Sequence, residues 1–451
     1  MNSTGRTHQS ASTIKHRGCN IGLMTVGSLN KVFYGWKIVG MCVTASFIGA
    51  GMMNLVMAVM FKPMLEDMGW SRTMTTGALT AGTVAGGLAA PIIGRLADRY
   101  GPRILMPAGA LIVGGTFFAL ARVDSLWQLY VLYIIGRATA TNTMVGIVPM
   151  TAITNWFHEM RGRAVGLTTM ALPLGGSILG IGAQFVIEAS SWRTAYVIFG
   201  VLTLVAVVGP SWAIMRRRPE EMGLLPDGRV HVEASAGGAK IAGPRPETDW
   251  SFSEAMRTSA LWLIVSSYFL ALLANSSIGF HQVAYFTDVG IEARAAATVL
   301  SVYAMSGAAS NIIWGFLTER FSERVCAISA NIVSSFCIVL LTFSDNLALA
   351  YVFAVLFGFA ARGEGALINI LIGRYFGRNS FGAIMGSITP FQMLALGMGP
   401  LVAAASFDLT GTYQTVFVLY IFTYLAASFL IFLAKPPARA TAKSIEDRSM
   451  G

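Results

Sequence analysis

Charge is scarce in this chain, and that scarcity excludes most ordinary readings of 451 residues. Only 12% of the residues are Asp, Glu, Lys or Arg, against roughly 25% in soluble domains, while 55% are hydrophobic. Two or three soluble domains, the usual content of such a length, would need a charged surface that this composition does not supply. Cysteine is scarce as well. Cys19, Cys42, Cys326 and Cys337 show no CxxC or metal-ligand spacing and read as small packing residues, so no metal is expected. No Ser/His/Asp constellation, HExxH run or nucleotide-binding loop is present, so neither an enzyme nor a cofactor is expected. Residues 1–33 lack the apolar core of a signal peptide and read as a polar, basic cytoplasmic tail.

Apolar runs of about 20 residues are what the chain has in abundance, each long enough to cross a hydrocarbon core as a helix. Lipid forces that choice, because every backbone polar group must find its partner within the segment. Hydropathy and breakers predict twelve spans. Six lie near 34–60, 71–97, 104–121, 126–150, 163–188 and 193–214, and six near 258–286, 293–317, 325–343, 348–372, 380–407 and 412–433. The fold class is therefore an all-α membrane protein of two six-helix halves, 34–214 and 258–433, with a C-terminal tail at 434–451. The polar segment 215–257, with Arg216-Arg217-Arg218, Pro219 and Pro226-Asp227-Gly228, has the composition of a linker. Most Lys and Arg fall on the side of the linker and both termini, so the net charge of +10 reports orientation in a membrane, with those parts cytoplasmic. The expected partner is the lipid bilayer and not nucleic acid.

One charged run stands out between two apolar ones: Gly94-Arg-Leu-Ala-Asp-Arg-Tyr-Gly-Pro-Arg103. A weaker copy, Gly315-Phe-Leu-Thr-Glu-Arg-Phe-Ser-Glu-Arg324, follows 221 residues later, so that Asp98 meets Glu319, Arg99 meets Arg320 and Arg103 meets Arg324. Gly101 has no glycine opposite it; Ser322 stands there and its turn is expected to differ. Asn54 and Asn275 share the same offset. Six spans, a basic linker and six more spans with a matching motif form the pattern of parallel repeats around a central substrate site.

These residues resemble the major facilitator superfamily of secondary transporters. Gly94…Asp98-Arg99-Tyr100-Gly101-Pro102-Arg103 matches its GxxxDRxGxR signature in the loop between spans 2 and 3, and Arg137 sits where its second signature places an intramembrane arginine. Finer features are similar to the monocarboxylate-porter and oxalate:formate-antiporter branch: Tyr34-Gly35-Trp36 opening span 1, and Trp156-Phe157…Arg161-Gly162-Arg163-Ala164-Val165-Gly166 with Gly175-Gly176 at span 5. The resemblance implies an alternating-access carrier. It also exposes departures. Where monocarboxylate porters carry an Asp and an Arg in span 8, this chain has Asn311 and Gly307. Where the oxalate exchanger uses a lysine in span 11, there is no Lys or Arg between Phe381 and Phe407.

Span 2 should end at Asp98, where the negative end of the helix dipole makes a lone carboxylate unfavourable. Arg99 and Arg103 are expected to supply cations, and the family's fold implies the N-terminus of span 11 as a second source. Gly94, Asp98, Arg99, Gly101 and Arg103, with Gly315, Glu319, Arg320 and Arg324, are accordingly the expected gating residues. Deep ionisable groups default to function. Arg137 in span 4 and Arg362 in span 10, about one turn from its repeat equivalent, are expected to bind a carboxylate, the match a guanidinium fork makes well. Glu364 lies two residues from Arg362 and so should not pair with it. Burial would favour its neutral form, which makes it the expected proton-coupling residue, with Gly363 and Gly365 able to distort the helix. Asn54, Asn142, Asn275, His281 and Asn311 are further substrate candidates, beside the alternative of interhelical hydrogen bonding. Pro173, Gly175 and Gly176 in span 5, and Pro390, Gly399 and Pro400 in span 11, are expected to bend equivalent helices. The expectation is proton-coupled uptake of a small, monocarboxylate-like organic anion by a monomer in a bacterial inner membrane. A drug or metabolite exporter is the alternative, with a transporter-like receptor behind it.

Overall fold

Twelve apolar helices account for nearly all of the chain that the computed structural model describes, which is residues 33–70, 72–228, 249–344 and 346–437. The expected N-terminal tail, the centre of the linker and the end of the C-terminal tail lie outside those residues, as does the side chain of Asn54. The first six spans are Tyr34–Met52, Gly77–Tyr100, Pro102–Leu120, Leu126–Trp156, Arg161–Ala189 and Trp192–Ile214. Spans 7 to 12 are Ser259–Asp288, Thr298–Arg320, Glu323–Thr342, Leu347–Phe376, Phe381–Thr410 and Gln414–Leu433. Large apolar side chains stand exposed on spans 3, 6, 9 and 12, among them Leu111, Val205, Phe336 and Phe422. In water such faces would demand a partner; hydrocarbon is the solvent that suits them.

Helix ends follow local chemistry. Ser191, Thr258, Ser322 and Asn346 accept a backbone N–H at the start of spans 6, 7, 9 and 10. Gly101 takes φ +78° immediately before Pro102 opens span 3, a turn that a residue with a Cβ resists. Ser322 holds φ −65° and caps span 9 instead, so the two copies of the charged run do turn differently.

One helix interruption falls where glycine pointed, at Gly363 in span 10, and none falls at the prolines and glycines of spans 5 and 11. Spans 5 and 11 run without a break through Pro173, Gly175 and Gly176 and through Pro390, Gly399 and Pro400. Gly175 and Gly399 serve close packing there: the first lies against the Phe47 backbone of span 1, the second against Leu273 and Ser276 of span 7. The breaks lie in spans 1, 4, 6 and 10, span 6 widening into a π-turn at Leu204–Val208. Span 1 leaves the α-helix at Ala50–Met52, turns extended at Met53 and resumes as Asn54–Met68. Span 4 widens into a π-turn at Thr141–Val145, and span 10 stops at Arg362 and restarts at Glu364. Gly363 is 221 residues beyond Asn142, so spans 4 and 10 are interrupted at repeat-equivalent depth.

The halves meet through spans 2 and 11 and through spans 5 and 8. Gly94 backs onto Gly382, Ala90 onto Gly386, Gly162 onto Gly315 and Gly166 onto Asn311. All of these approaches lie in the linker-side portions of the four helices, so the molecule is closed at its linker end.

Candidate functional site

The closed end is built from the two charged runs. Asp98 accepts hydrogen bonds from Gly382 N–H (2.9 Å) and Ala383 N–H (2.7 Å) at the start of span 11, where unpaired amides favour an anion. Glu319 mirrors it at the start of span 5, accepting from Arg163 N–H (3.0 Å) and holding the Arg163 guanidinium at 2.7 Å. The expected source of positive charge needs correction. The cations acting on Asp98 are Arg217 and Arg218 of the linker, and Arg217 also donates to the Asp98 carbonyl (2.6 Å). Arg99 is exposed and lies over the Tyr100 ring, and Arg103 is exposed. Arg320 is exposed too, while Arg324 donates to the Ile431 and Phe432 carbonyls and so caps the end of span 12 instead of joining the halves.

The linker's described ends take part in this closure. Asp227 accepts from His158, Glu159 and Met160 N–H just before span 5. Asp249 accepts from Arg378 and Asn379 N–H just before span 11. Arg378 pairs with Glu220 and donates to the Asn155 carbonyl (3.2 Å), and Arg218 donates to Asn379 (2.6 Å). Composition marks 215–257 as a connector and carries no trace of these partners.

At mid-depth the two arginines are placed differently. Arg137 is only 6% exposed; its Nε donates to Thr83 (2.8 Å) and its Nη1 to the Met52 carbonyl (2.9 Å), which the break in span 1 releases from helical pairing. Arg362 is exposed. A charge at that depth is costly against lipid, which directs this guanidinium to the space between the halves. Its stem rests on Gly307, where an added Cβ would come within 2.7 Å of Nε, and its Cζ lies 5.2 Å from the centre of the Tyr303 ring. Tyr303 donates to Asn275 Oδ1 (2.5 Å), and Asn275 Nδ2 donates to the Ala361 carbonyl (3.2 Å) beside the break. The position that lacks the span 8 arginine is thus the seat of an arginine delivered from span 10. Tyr303 was missed from sequence, although it lies one turn before Gly307 on the same helix.

Glu364 points elsewhere. It is 7% exposed, and neither carboxyl oxygen finds a hydrogen-bond partner among the described residues. It lines a cavity of about 30 Å³ inside the second half, with Ser267, Tyr268 and Asn331. The remaining candidates make helix-to-helix or local bonds. Asn142 donates to the Gly86 carbonyl (3.0 Å), Asn311 to that of Gly307 (3.0 Å), and His281 joins the Pro400 carbonyl (3.0 Å) to the Tyr413 hydroxyl (3.2 Å). Arg362, Asn275 and Tyr303 therefore come together, while Arg137, Asn142 and His281 are each held by other partners.

The sequence profile of the Major Facilitator Superfamily matches residues 41–285 and 264–449, one stretch for each half. The chain belongs to the Major Facilitator Superfamily. It is a multi-pass membrane transporter and not an enzyme. Monocarboxylate transporter 12-B of Danio rerio is 24% identical over 361 residues, covering 76% of this chain and 75% of that protein. The oxalate:formate antiporter of Oxalobacter formigenes is 26% identical over 274 residues, 58% of each chain. The crystal structure of the human organic anion transporter MFSD10 shares the fold, with a TM-score of 0.68 at 16% identity over 88% of this chain and 99% of that one.

Proposed function

We propose that this transporter carries a small organic anion, of monocarboxylate type, together with a proton, by alternating access. Its linker and termini would lie on the cytoplasmic side of a bacterial inner membrane, and one chain would suffice. The observation that carries this reading is Arg362: an exposed guanidinium at mid-depth, seated on Gly307 and backed by Tyr303, with no carboxylate paired to it among the described residues. A substrate carboxylate supplies the partner that the protein does not. Relatives named as monocarboxylate and oxalate:formate transporters support the same chemistry.

Glu364 fits the proton. An ionised carboxylate without a partner is costly in an apolar interior, whereas the acid form is tolerated. One proton taken with one monovalent anion leaves the moving halves without added net charge, so the loaded carrier reorients more readily than a carrier holding the anion alone. With the linker end closed, the structure corresponds to the state that loads from the opposite side.

The test is counterflow of labelled monocarboxylates into proteoliposomes. The wild-type chain should exchange them. Arg362→Ala should weaken apparent affinity about 10- to 100-fold, the loss of one charge-assisted contact of about 1.5–3 kcal/mol. Unchanged affinity in Arg362→Ala sinks the anion site, and exchange of apolar cations in place of carboxylates favours the exporter reading.

A further inference from the structure

We propose that the proton carried on Glu364 leaves through the interior of the second half, towards the linker-side ends of spans 7, 9, 10 and 12, and not through the space between the halves. This rests on the proton-coupled reading above. Arg362 and Glu364 flank the break at Gly363 and face different compartments, the first exposed, the second buried against a cavity inside the second half. Gly363 is pressed against the indole of Trp314, so a side chain has no room between them.

The cavity has a polar end and an apolar end. At the polar end, Glu364 presents two unfilled oxygens and Asn331 presents an unfilled Oδ1, while the Ser267 hydroxyl already donates to the Ala427 carbonyl (2.7 Å) and keeps only its lone pairs for the cavity. Acceptors outnumber donors there, which is the chemistry of a proton held with water. A cavity of about 30 Å³ holds about two waters. At the apolar end, Ile264, Leu371 and Ile431 lie close to the linker-side ends of their spans, Ile431 only two residues before span 12 finishes at Leu433. Leu371 stands five residues before the end of span 10, about 7.5 Å of helix rise. Ile264, Leu371 and Ile431 are thus the cavity's apolar lining towards the linker side, and in the proposed path they act as its plug.

Among the described residues the titratable groups facing Glu364 are Tyr268 from span 7, Tyr303 from span 8 and Tyr424 from span 12; span 9 contributes the neutral Asn331. None of these is a cation that would fix a carboxylate in place. The step is a simple transfer. The O–H bond of the Glu364 acid breaks, a cavity water takes the proton, and water past the plug passes it on; the carboxylate left behind is reloaded from the opposite side in the next cycle.

The experiment uses the full chain in proteoliposomes with a trapped pH dye and runs carboxylate counterflow in parallel, since exchange proceeds without proton release. Ala327→Leu fills the cavity and should slow anion-driven proton movement at least fivefold while counterflow stays within twofold. Ile431→Ser opens the plug and should raise proton leak without substrate several-fold, with the same counterflow. Normal counterflow with wild-type proton rates in both variants overturns the path and leaves the anion carrier standing. Wild-type counterflow with no proton movement at all overturns the coupling and the path together. Coupling to Na⁺ instead of protons overturns it equally.

Discussion

The two halves contain the same device set one helical turn apart. In the first, the stem of Arg137 on span 4 packs against Gly82 on span 2; in the second, the stem of Arg362 on span 10 packs against Gly307 on span 8. Repeat symmetry would pair Arg137 with Gly358 and Gly82 with Tyr303, so seat and arginine have moved together by about four residues, roughly 6 Å along the helices towards the linker end. The displacement changes what the guanidinium can do. Arg137 reaches the carbonyl freed by the break in span 1 and is held there. Arg362 has a tyrosine ring behind it and open space in front. A shared architecture thus yields one arginine held by protein groups and one left exposed, and the difference lies in register and not in residue type.

The largest expected effect tests that register directly. Gly307 and Gly86 are repeat equivalents, yet a Cβ at Gly307 would strike the Arg362 stem, whereas at Gly86 it would meet Ala138 and Thr141 at 3.5 Å and 3.8 Å, ordinary contact. Gly307→Ala should weaken anion affinity by about 1–3 kcal/mol, roughly 5- to 100-fold, because overpacking displaces the guanidinium. Gly86→Ala should stay within about 0.5 kcal/mol. Substrate titration of counterflow measures both, and equal effects would dissolve the distinction between the halves.

The gates differ less. Asp98 sits between two helix-start amides, while Glu319 relies on one amide and a guanidinium whose side chain is 37% exposed. Asp98→Asn turns an acceptor into a group that also presents N–H towards amides and should destabilise the closed linker end by about 1–3 kcal/mol. Glu319→Gln should cost under about 1 kcal/mol, the range of a solvent-screened pair. Distances between spin labels on the linker-side ends of spans 2 and 11, and of spans 5 and 8, would register the opening. A larger opening in Glu319→Gln would reverse the ranking.

How much of this was legible in sequence depended on whether the partners were local. The Asp98 contact was readable because its signature is contiguous: a carboxylate at a helix C-terminus has few places to go, and Asp98 went to the start of span 11. The span count was readable because lipid leaves a segment no alternative to a helix. Of the breaks, only the one at Gly363 in span 10 was readable. Proline and glycine are common in membrane helices that stay regular, and the π-turn at Thr141–Val145 contains neither. The Arg362 seat needed two helices 55 residues apart in sequence to be placed together, and the roles of Asp227 and Asp249 needed the loops they clip. Such facts belong to tertiary structure and leave no local pattern.

The smallest expected effect lies at the far end of the bundle, where the halves differ again. Asp67 accepts from the Trp192 indole (3.1 Å) and the Arg193 guanidinium, whereas its equivalent, Asp288, faces Tyr413 and holds the phenol above its usual range after the larger effect of burial. The Arg193 hydrogen bond, then that of Trp192, keeps the Asp67 carboxyl below the ordinary range. A depressed acid stabilises the fold at and above its unfolded value near 4, and that contribution is lost as pH falls through the lower folded value. The Asp67 side chain is 46% exposed, so water screens the pair and the effect is small. Asp67→Asn should lower the melting temperature in detergent by about a degree at pH 7 and by progressively less as pH falls below about 4, while Asp288→Asn should leave it unchanged throughout. Equal shifts in the two variants would mean that the far ends of the halves are held alike, and that the asymmetry between them is confined to the arginines at mid-depth.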